Sequence, residues 1–352
     1  MDRLYDYEKK KIDFSAGYIF KGKDYRCSFV SFDSQYPKAP KGTEKVTLYN
    51  YMPKGTPKGS CLILHGLGSS NVKFILWLGP HLAAAGINAT VLILPGNFTR
   101  VEDGSVSGSS FLYPQVNHIT PFWEQSLIDV QTTIDFLEQN NLWSPNNCLM
   151  GYCLGGMLGT AAAALDPRIN QKIFMTASGH YPMIIHESKA ASFARRLIEK
   201  GVTCEYGLHD KDYIYNLYAN EMPKIKEMTL DELLTSESIN PIFKIEPMAF
   251  CHLIDPETVS VIDALFDGTL PIDSRKMFYK ALSGCKKHIV PISHVSWLPF
   301  EFLLARYILH KLNIHDANAT KSLMTHEKYE DPLDLLSFIG SASIGGIKKI
   351  FK

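Results

Sequence analysis

The decapeptide Cys148-Leu149-Met150-Gly151-Tyr152-Cys153-Leu154-Gly155-Gly156-Met157 constrains this chain more than any other stretch. A short apolar strand runs into a sharp turn and then into a small-residue helix over residues 158–165. Glycines stand two before and two after Cys153. This is the spacing of a G-x-S-x-G nucleophile elbow, with sulfur in place of oxygen. A residue on so tight a turn has a strained backbone, and its neighbours crowd together. Hydrogen side chains at Gly151 and Gly155 let strand and helix approach. The turn then lifts the sulfur to the end of a sheet, above a helix N-terminus that favours thiolate. The bland alternative is a buried cysteine beside an ordinary glycine turn, so the rest of the chain has to supply the sheet and the partners.

Residues 24–33 and 44–51 alternate as strands of a meander, joined by a Pro/Gly/Lys-rich turn at 36–42. Residues 60–64 are continuously apolar and end in His65-Gly66-Leu67-Gly68-Ser69-Ser70, the pattern of a buried central strand. A helical pattern over 71–85 is kinked or divided by Pro80 and closed by Gly86. A second buried strand covers 87–94, a loop 98–120, and a helix 121–139 with Leu127, Val130, Ile134 and Leu137 on one face. The elbow strand follows, then a strand at 171–176. Strands alternating with helices predict a parallel sheet covered on both faces.

The pattern changes at residue 178. Helical stretches at 190–201 and 230–236, a tyrosine-rich segment at 212–218 and a proline-broken apolar run at 239–250 lie between two core strands. That is far too long for an ordinary connection and reads as a lid. The core resumes with a strand at 258–265, a helix at 274–282, a strand at 287–292 and a closing helix at 300–312. The expected division is therefore 1–177 and 256–314 as the two parts of one core, 178–255 as the lid insertion, and 315–352 as a peripheral tail.

Charge narrows the partners. Lys+Arg and Asp+Glu number 36 each, so there is no basic excess to hold nucleic acid. Residues 1–14 lack the apolar core of a secretory signal, and no apolar run is long enough to span a bilayer. Seven cysteines, odd in number and never spaced C-x-x-C, argue against a disulfide framework or a zinc site. The expectation is a reduced, cytoplasmic protein without metal or organic cofactor.

A sulfur nucleophile needs a base, a group that orients the base, and two N–H donors for the oxyanion. On a sheet of this kind the acid and then the histidine follow the nucleophile, each at the carboxyl end of a later strand. Asp267 lies just past the strand ending at 265, and His294 just past the strand ending at 292. Asp255 precedes its strand, Asp263 lies inside it, and His288 begins the last strand, so none of these sits at the right end. The bland readings are a turn-forming aspartate and a satisfied histidine. The N–H groups of Leu154 and Leu67 are the expected oxyanion donors, with Gly66 and Gly68 letting the loop approach substrate. His65 is expected to brace that loop. Asn97 and Tyr152 are candidate substrate contacts, with a turn role equally open for Asn97.

Strand-His-Gly-x-Gly, the Gly-x-Cys-x-Gly-Gly elbow, and Asp-x-x-x-Pro with a late histidine together resemble the α/β-hydrolase superfamily over residues 45–312. The hexapeptide Gly-Tyr-Cys-Leu-Gly-Gly is most similar to dienelactone hydrolases, which open a lactone ester with a Cys-Asp-His triad. The resemblance implies an α/β-hydrolase fold and a small-molecule ester or lactone substrate, whereas a helical lid of this size, the meander and the tail depart from dienelactone hydrolases. It also implies cleavage through an acyl-thioester on Cys153, with Asp267 and His294 completing the triad. Poly-hydroxyalkanoate synthases share a similar elbow, so acyl transfer to an alcohol is an alternative, as is a non-catalytic binding protein on the same fold.

Two further stretches keep open readings. Tyr206, Tyr213, Tyr215, Tyr218 and Phe243 line a pocket or fill a lid core, core being the default. Residues 335–352 mix apolar side chains with Lys348, Lys349 and Lys352, a pattern compatible with docking on the protein itself or with peripheral membrane contact.

Overall fold

The computed structural model describes residues 3–68, 76 and 78–315. The expectations for residues 71–75 and for the tail from 316 onward, including 335–352, lie outside the described residues.

Among the described residues nine strands form one sheet: β1 (Phe14–Lys21), β2 (Tyr25–Asp33), β3 (Lys45–Pro53), β4 (Gly59–Leu64), β5 (Ile87–Ile93), β6 (Asn147–Tyr152), β7 (Gln171–Met175), β8 (Val259–Ala264) and β9 (Lys286–Val290). Their spatial order is β1-β2-β3-β5-β4-β6-β7-β8-β9. The first three form an antiparallel meander, and β3 also meets β5 antiparallel. From β5 to β9 every pairing is parallel. The chain leaves β4 to one side for β5 and then returns to the other side for β6. Such a reversal opens a crevice at the carboxyl ends of the strands.

The central strands β4, β5 and β6 are buried along their whole length, which is why they read as unbroken apolar runs. Their side chains alternate between two cores. Leu62, Leu64, Leu92 and Leu149 face the core that holds α2 (Val116–Gln139) and α3 (Leu154–Leu165). Cys61, Ile63, Val91 and Met150 face the core that holds α1 (Leu78–Ala84) and α10 (Glu301–Lys311).

Several boundaries differ from the sequence reading. β1 was not expected. It is an edge strand exposed almost throughout, so burial imposes little pattern on it. α2 starts at Val116, inside the expected loop, and carries Pro121 as its sixth residue. A proline marks a first turn more often than an interior one, and the extra turns here bury Val116 and Ile119 against the core.

Between β7 and β8 the chain forms α4 (Tyr181–Glu187), α5 (Ser192–Glu199), α6 (Lys211–Ile225), α7 (Leu230–Thr235) and α8 (Pro247–Phe250). The tyrosine-rich segment is thus part of a full helix. One carboxylate ties both ends of this insertion to its middle: Glu246 accepts from the N–H groups of His180 (2.8 Å), Tyr181 (2.7 Å) and Met248 (3.1 Å) and from Tyr218 Oη (2.9 Å). After β8 come α9 (Ile272–Ala281), β9 and α10.

Candidate active site

Cys153 caps the N-terminus of α3 with φ 52° and ψ −114°, a conformation that costs a non-glycine residue about 1–3 kcal/mol. The flanking glycines are required by contact. A Cβ on Gly151 would lie 2.3 Å from the Gly155 carbonyl oxygen, and one on Gly155 would lie 2.1 Å from that of Leu64. The elbow therefore presses strand β6, helix α3 and the loop after β4 into one place.

The loop after β4 is braced from behind. His65 Nε2 accepts from the Leu94 N–H at 2.9 Å, so Nδ1 carries the proton and donates to the Gly66 carbonyl at 2.5 Å. Burial pushes the His65 pKa down to about 4, outweighing the Gly66 contact that raises it. A neutral, fixed imidazole is a brace, as its place in the sequence suggested. Of the two readings open for Asn97, the structure shows the turn role. That side chain is fully buried and spent on the loop: Oδ1 accepts from the Gly68 N–H at 2.7 Å, and Nδ2 donates to the Pro95 carbonyl at 3.0 Å. Gly66 and Gly68 are also packing residues. A Cβ on Gly66 would lie 2.9 Å from the Tyr152 ring, and one on Gly68 would lie 2.8 Å from Ser107 Oγ.

Leu67 and Leu154 line the same cavity as Cys153. Leu154 is the first residue of α3, where backbone N–H groups have no partner inside the helix. Neither the Leu67 nor the Leu154 N–H meets an acceptor among the described residues.

Asp267 and His294 arrive from the ends of β8 and β9. His294 Nδ1–H donates to Asp267 Oδ2 at 2.7 Å, and both residues are buried. The other carboxylate oxygen accepts the N–H groups of Thr269 (2.8 Å) and Leu270 (3.1 Å). Asp267 is thus a turn former and a histidine partner at once. Burial alone would raise its pKa, but His294 and the two amides together hold it below the usual carboxylate range. His294 moves the other way. Burial pulls it down, yet the charge of Cys153, the Asp267 carboxylate and hydrogen bonds to both raise it from 6.5 to about 10. The competing groups are committed elsewhere. Asp263 accepts from Arg275 and from Tyr279 Oη, and His288 Nε2 meets Tyr307 Oη at 2.9 Å.

Tyr152 has two contacts that its sequence position does not reveal. Its ring lines the cavity, and its hydroxyl donates to the His294 carbonyl at 2.7 Å. The cavity itself is about 290 Å³ and almost wholly apolar. Leu112, Met157 and Leu298 line it from the core, and Tyr181, Ile184 and Ala190 from the insertion. None of the five aromatics singled out in the sequence reaches it. Tyr218 and Phe243 pack on each other in the core, with ring centroids 4.8 Å apart, and Tyr206 and Tyr213 are exposed.

No family model matches the chain, and neither does any curated protein. Solved structures do match. An acetyl xylan esterase from a Paenibacillus species superposes with a TM-score of 0.59 at 16% identity, over 86% of this chain and 89% of that one. Acetyl xylan esterase 1 from a Thermoanaerobacterium species gives 0.53 at 16% identity, over 88% and 89%. The acylaminoacyl peptidase of Pyrococcus horikoshii gives 0.53 at 13%, over 86% of this chain and 44% of that one.

The chain has the α/β-hydrolase fold. Within that fold the four groups of the site come from loops at the carboxyl ends of β4, β6, β8 and β9, which is where its crevice opens. Among the described residues no three His, Cys, Asp or Glu side chains are grouped to hold a metal ion, and no helix is long and apolar enough to cross a membrane.

Proposed function

We propose that this chain cleaves carboxylic esters or lactones through Cys153, His294 and Asp267. The observation that carries the reading is the His294–Asp267 hydrogen bond at 2.7 Å, closed against Cys153 on a strained elbow. Asp267 fixes the imidazole tautomer, so that Nε2 faces the sulfur. His294 draws the thiol proton, and the thiolate attacks the carbonyl carbon. The N–H groups of Leu67 and Leu154 receive the oxyanion. Imidazolium protonates the departing alkoxide, leaving a thioester on Cys153, and water activated by His294 then releases the acid. Amides are poorer substrates, because thiolate leaves the tetrahedral intermediate more readily than an amine does.

The structural neighbours named as acetyl xylan esterases support the ester class, and the apolar cavity favours an uncharged acyl group. Seven free thiols suit a reducing compartment, and we place the protein there. The test is a panel of esters, lactones and thioesters with intact-mass detection of the protein. The expected result is an acyl adduct that maps to Cys153 and is absent in Cys153→Ala. Turnover that survives Cys153→Ala would overturn the reading. Product analysis with added alcohol distinguishes water from an alcohol as the acceptor.

A further inference from the structure

A second apolar hollow, about 420 Å³, lies outside the site, between β9 and α10. Ile262, Val290, Ile292, Phe300, Leu303 and Leu304 line it, with the His288–Tyr307 pair at one side. Among the described residues β9 is the last strand of the sheet, so the hollow lies at a sheet edge. Phe300 and Leu303 are 51% and 52% exposed. The chain at 264–266 runs beside Val290 and Ile292 of that lining: the Leu265 N–H reaches the Val290 carbonyl, and the Phe266 N–H that of Ile292. Leu265 and Phe266 are themselves 54% and 65% exposed. Large apolar side chains exposed singly are ordinary, whereas Phe300 and Leu303 exposed together on the rim of an apolar hollow mark an interaction surface.

The charge of this edge sets it apart from a chain that is neutral as a whole. Residues 285–315 carry Lys286, Lys287, Arg306 and Lys311, and a single carboxylate, Glu301. Glu301 is buried and turned toward His81, 3.5 Å away. Lys286, Lys287 and Arg306 are exposed, and none of the four cations is ion-paired among the described residues. Lys286 and Lys311 lie close enough to act on each other and on His288. The carboxylates of the adjoining strand and loop, Asp263 and Asp267, are held by Arg275 and His294. Along α10 the exposed stripe runs Leu303, Arg306, His310, apolar first and basic after.

We propose that the β9–α10 edge docks on an anionic lipid surface. Phe300 and Leu303 enter the acyl layer, the hollow takes one acyl chain, and the cations meet the headgroups. A second copy of the chain fits less well, since each copy would bring an unrelieved set of cations to the contact. The docking does not depend on the ester chemistry. It does turn the cavity's Val295, 49% exposed, and the acid loop's Phe266 toward the lipid.

The test is flotation of the full chain with phosphatidylcholine vesicles, with and without about 30% phosphatidylglycerol, at low and high salt. Binding is expected on the anionic vesicles only and is weakened by salt. Phe300→Ser with Leu303→Ser, and separately Lys286→Glu with Lys287→Glu, should each weaken it about tenfold or more. Both variants should keep wild-type turnover of a soluble short ester, which shows that they are folded. Equal binding to both vesicle types, no binding to either, or binding unchanged in both variants overturns the proposal. So does a wild-type dimer in sedimentation that Phe300→Ser with Leu303→Ser dissociates, because a second copy then occupies the surface.

Discussion

Tyr152 holds the backbone of His294: its hydroxyl donates to the His294 carbonyl at 2.7 Å, and its ring lies 5.4 Å from the imidazole. The residue before the proposed nucleophile therefore positions the proposed base, although the two are 142 residues apart in sequence. Trp297 packs on the other flank of Tyr152, with centroids 5.1 Å apart. The last loop is thus clamped onto the elbow by one buried hydroxyl. Tyr152→Phe keeps the ring and removes the clamp. Turnover of a short ester should fall about tenfold, mostly in kcat, and unfolding free energy should fall by about 1–3 kcal/mol as the carbonyl loses its donor. Steady-state kinetics and urea denaturation read the two effects. Unchanged kcat would mean that the loop is positioned without Tyr152.

The raised pKa of His294 makes a signed prediction. Its folded value of about 10 lies above an unfolded value of about 6.5. The stabilisation is therefore present in full below about pH 6.5 and is lost as pH rises through about 10. Asp267 acts in the opposite sense. Its lowered value gives stability that is present above about pH 3.9 and is lost as pH falls through the folded value. Because the charge of Cys153 is a main cause of the His294 shift, Cys153→Ala should lower the imidazole pKa by at least about one unit. The alkaline loss of stability should move down in pH with it. Imidazole nitrogen NMR titration and urea midpoints across pH measure both. An imidazole that titrates alike in the two proteins would separate Cys153 from His294.

Strain at the elbow has its own signature. Cys153 sits at φ 52°, ψ −114°, which glycine adopts freely and alanine does not. Cys153→Ala keeps the strain while removing the sulfur. Cys153→Gly removes both. The glycine variant should therefore be more stable than the alanine variant by about 1 kcal/mol, reversing the usual penalty of glycine against alanine. Neither should form an acyl adduct. Paired denaturation curves decide it, and an alanine variant at least as stable as the glycine one would show that the backbone relaxes.

The central strands and the order Cys153, Asp267, His294 were legible in the sequence because burial and strand ends write directly into residue pattern. Full burial produces unbroken apolar runs at β4, β5 and β6, and a loop residue just past such a run lands at the crevice. β1 left no such imprint, since it is exposed and has one neighbour. The start of α2 was hidden by Pro121, and α6 by its tyrosines, of which Tyr218 is buried in the insertion's core while Tyr213 is exposed. Contacts between distant loops were illegible for a different reason. That Asn97 faces Gly68, or that Tyr181 and Ile184 wall the cavity, depends on which loops meet. Local pattern carries no record of that.

The Arg100–Asp129 pair extends the brace of the β4 loop into the core. Arg100 Nη2 meets Asp129 Oδ2 at 2.8 Å with both residues buried, and the same guanidinium donates to the carbonyls of Ile93 and Thr43. Ser34 Oγ donates to the other Asp129 oxygen at 2.6 Å. Arg100 also closes the turn that carries Asn97, through backbone bonds to Gly96 and Asn97. A buried pair of this kind is costly to break and less costly to replace. Asp129→Ala, leaving the guanidinium unpaired, should cost about 3–5 kcal/mol. Arg100→Met combined with Asp129→Leu should recover most of that loss. The double variant still lacks the donors to Ile93 and Thr43, so the turn loosens and the Asn97–Gly68 contact with it. Short-ester turnover should then stay depressed, with KM little changed, even where stability returns. Full recovery of turnover in the double variant would show that the Asn97 turn holds the loop without help from Arg100.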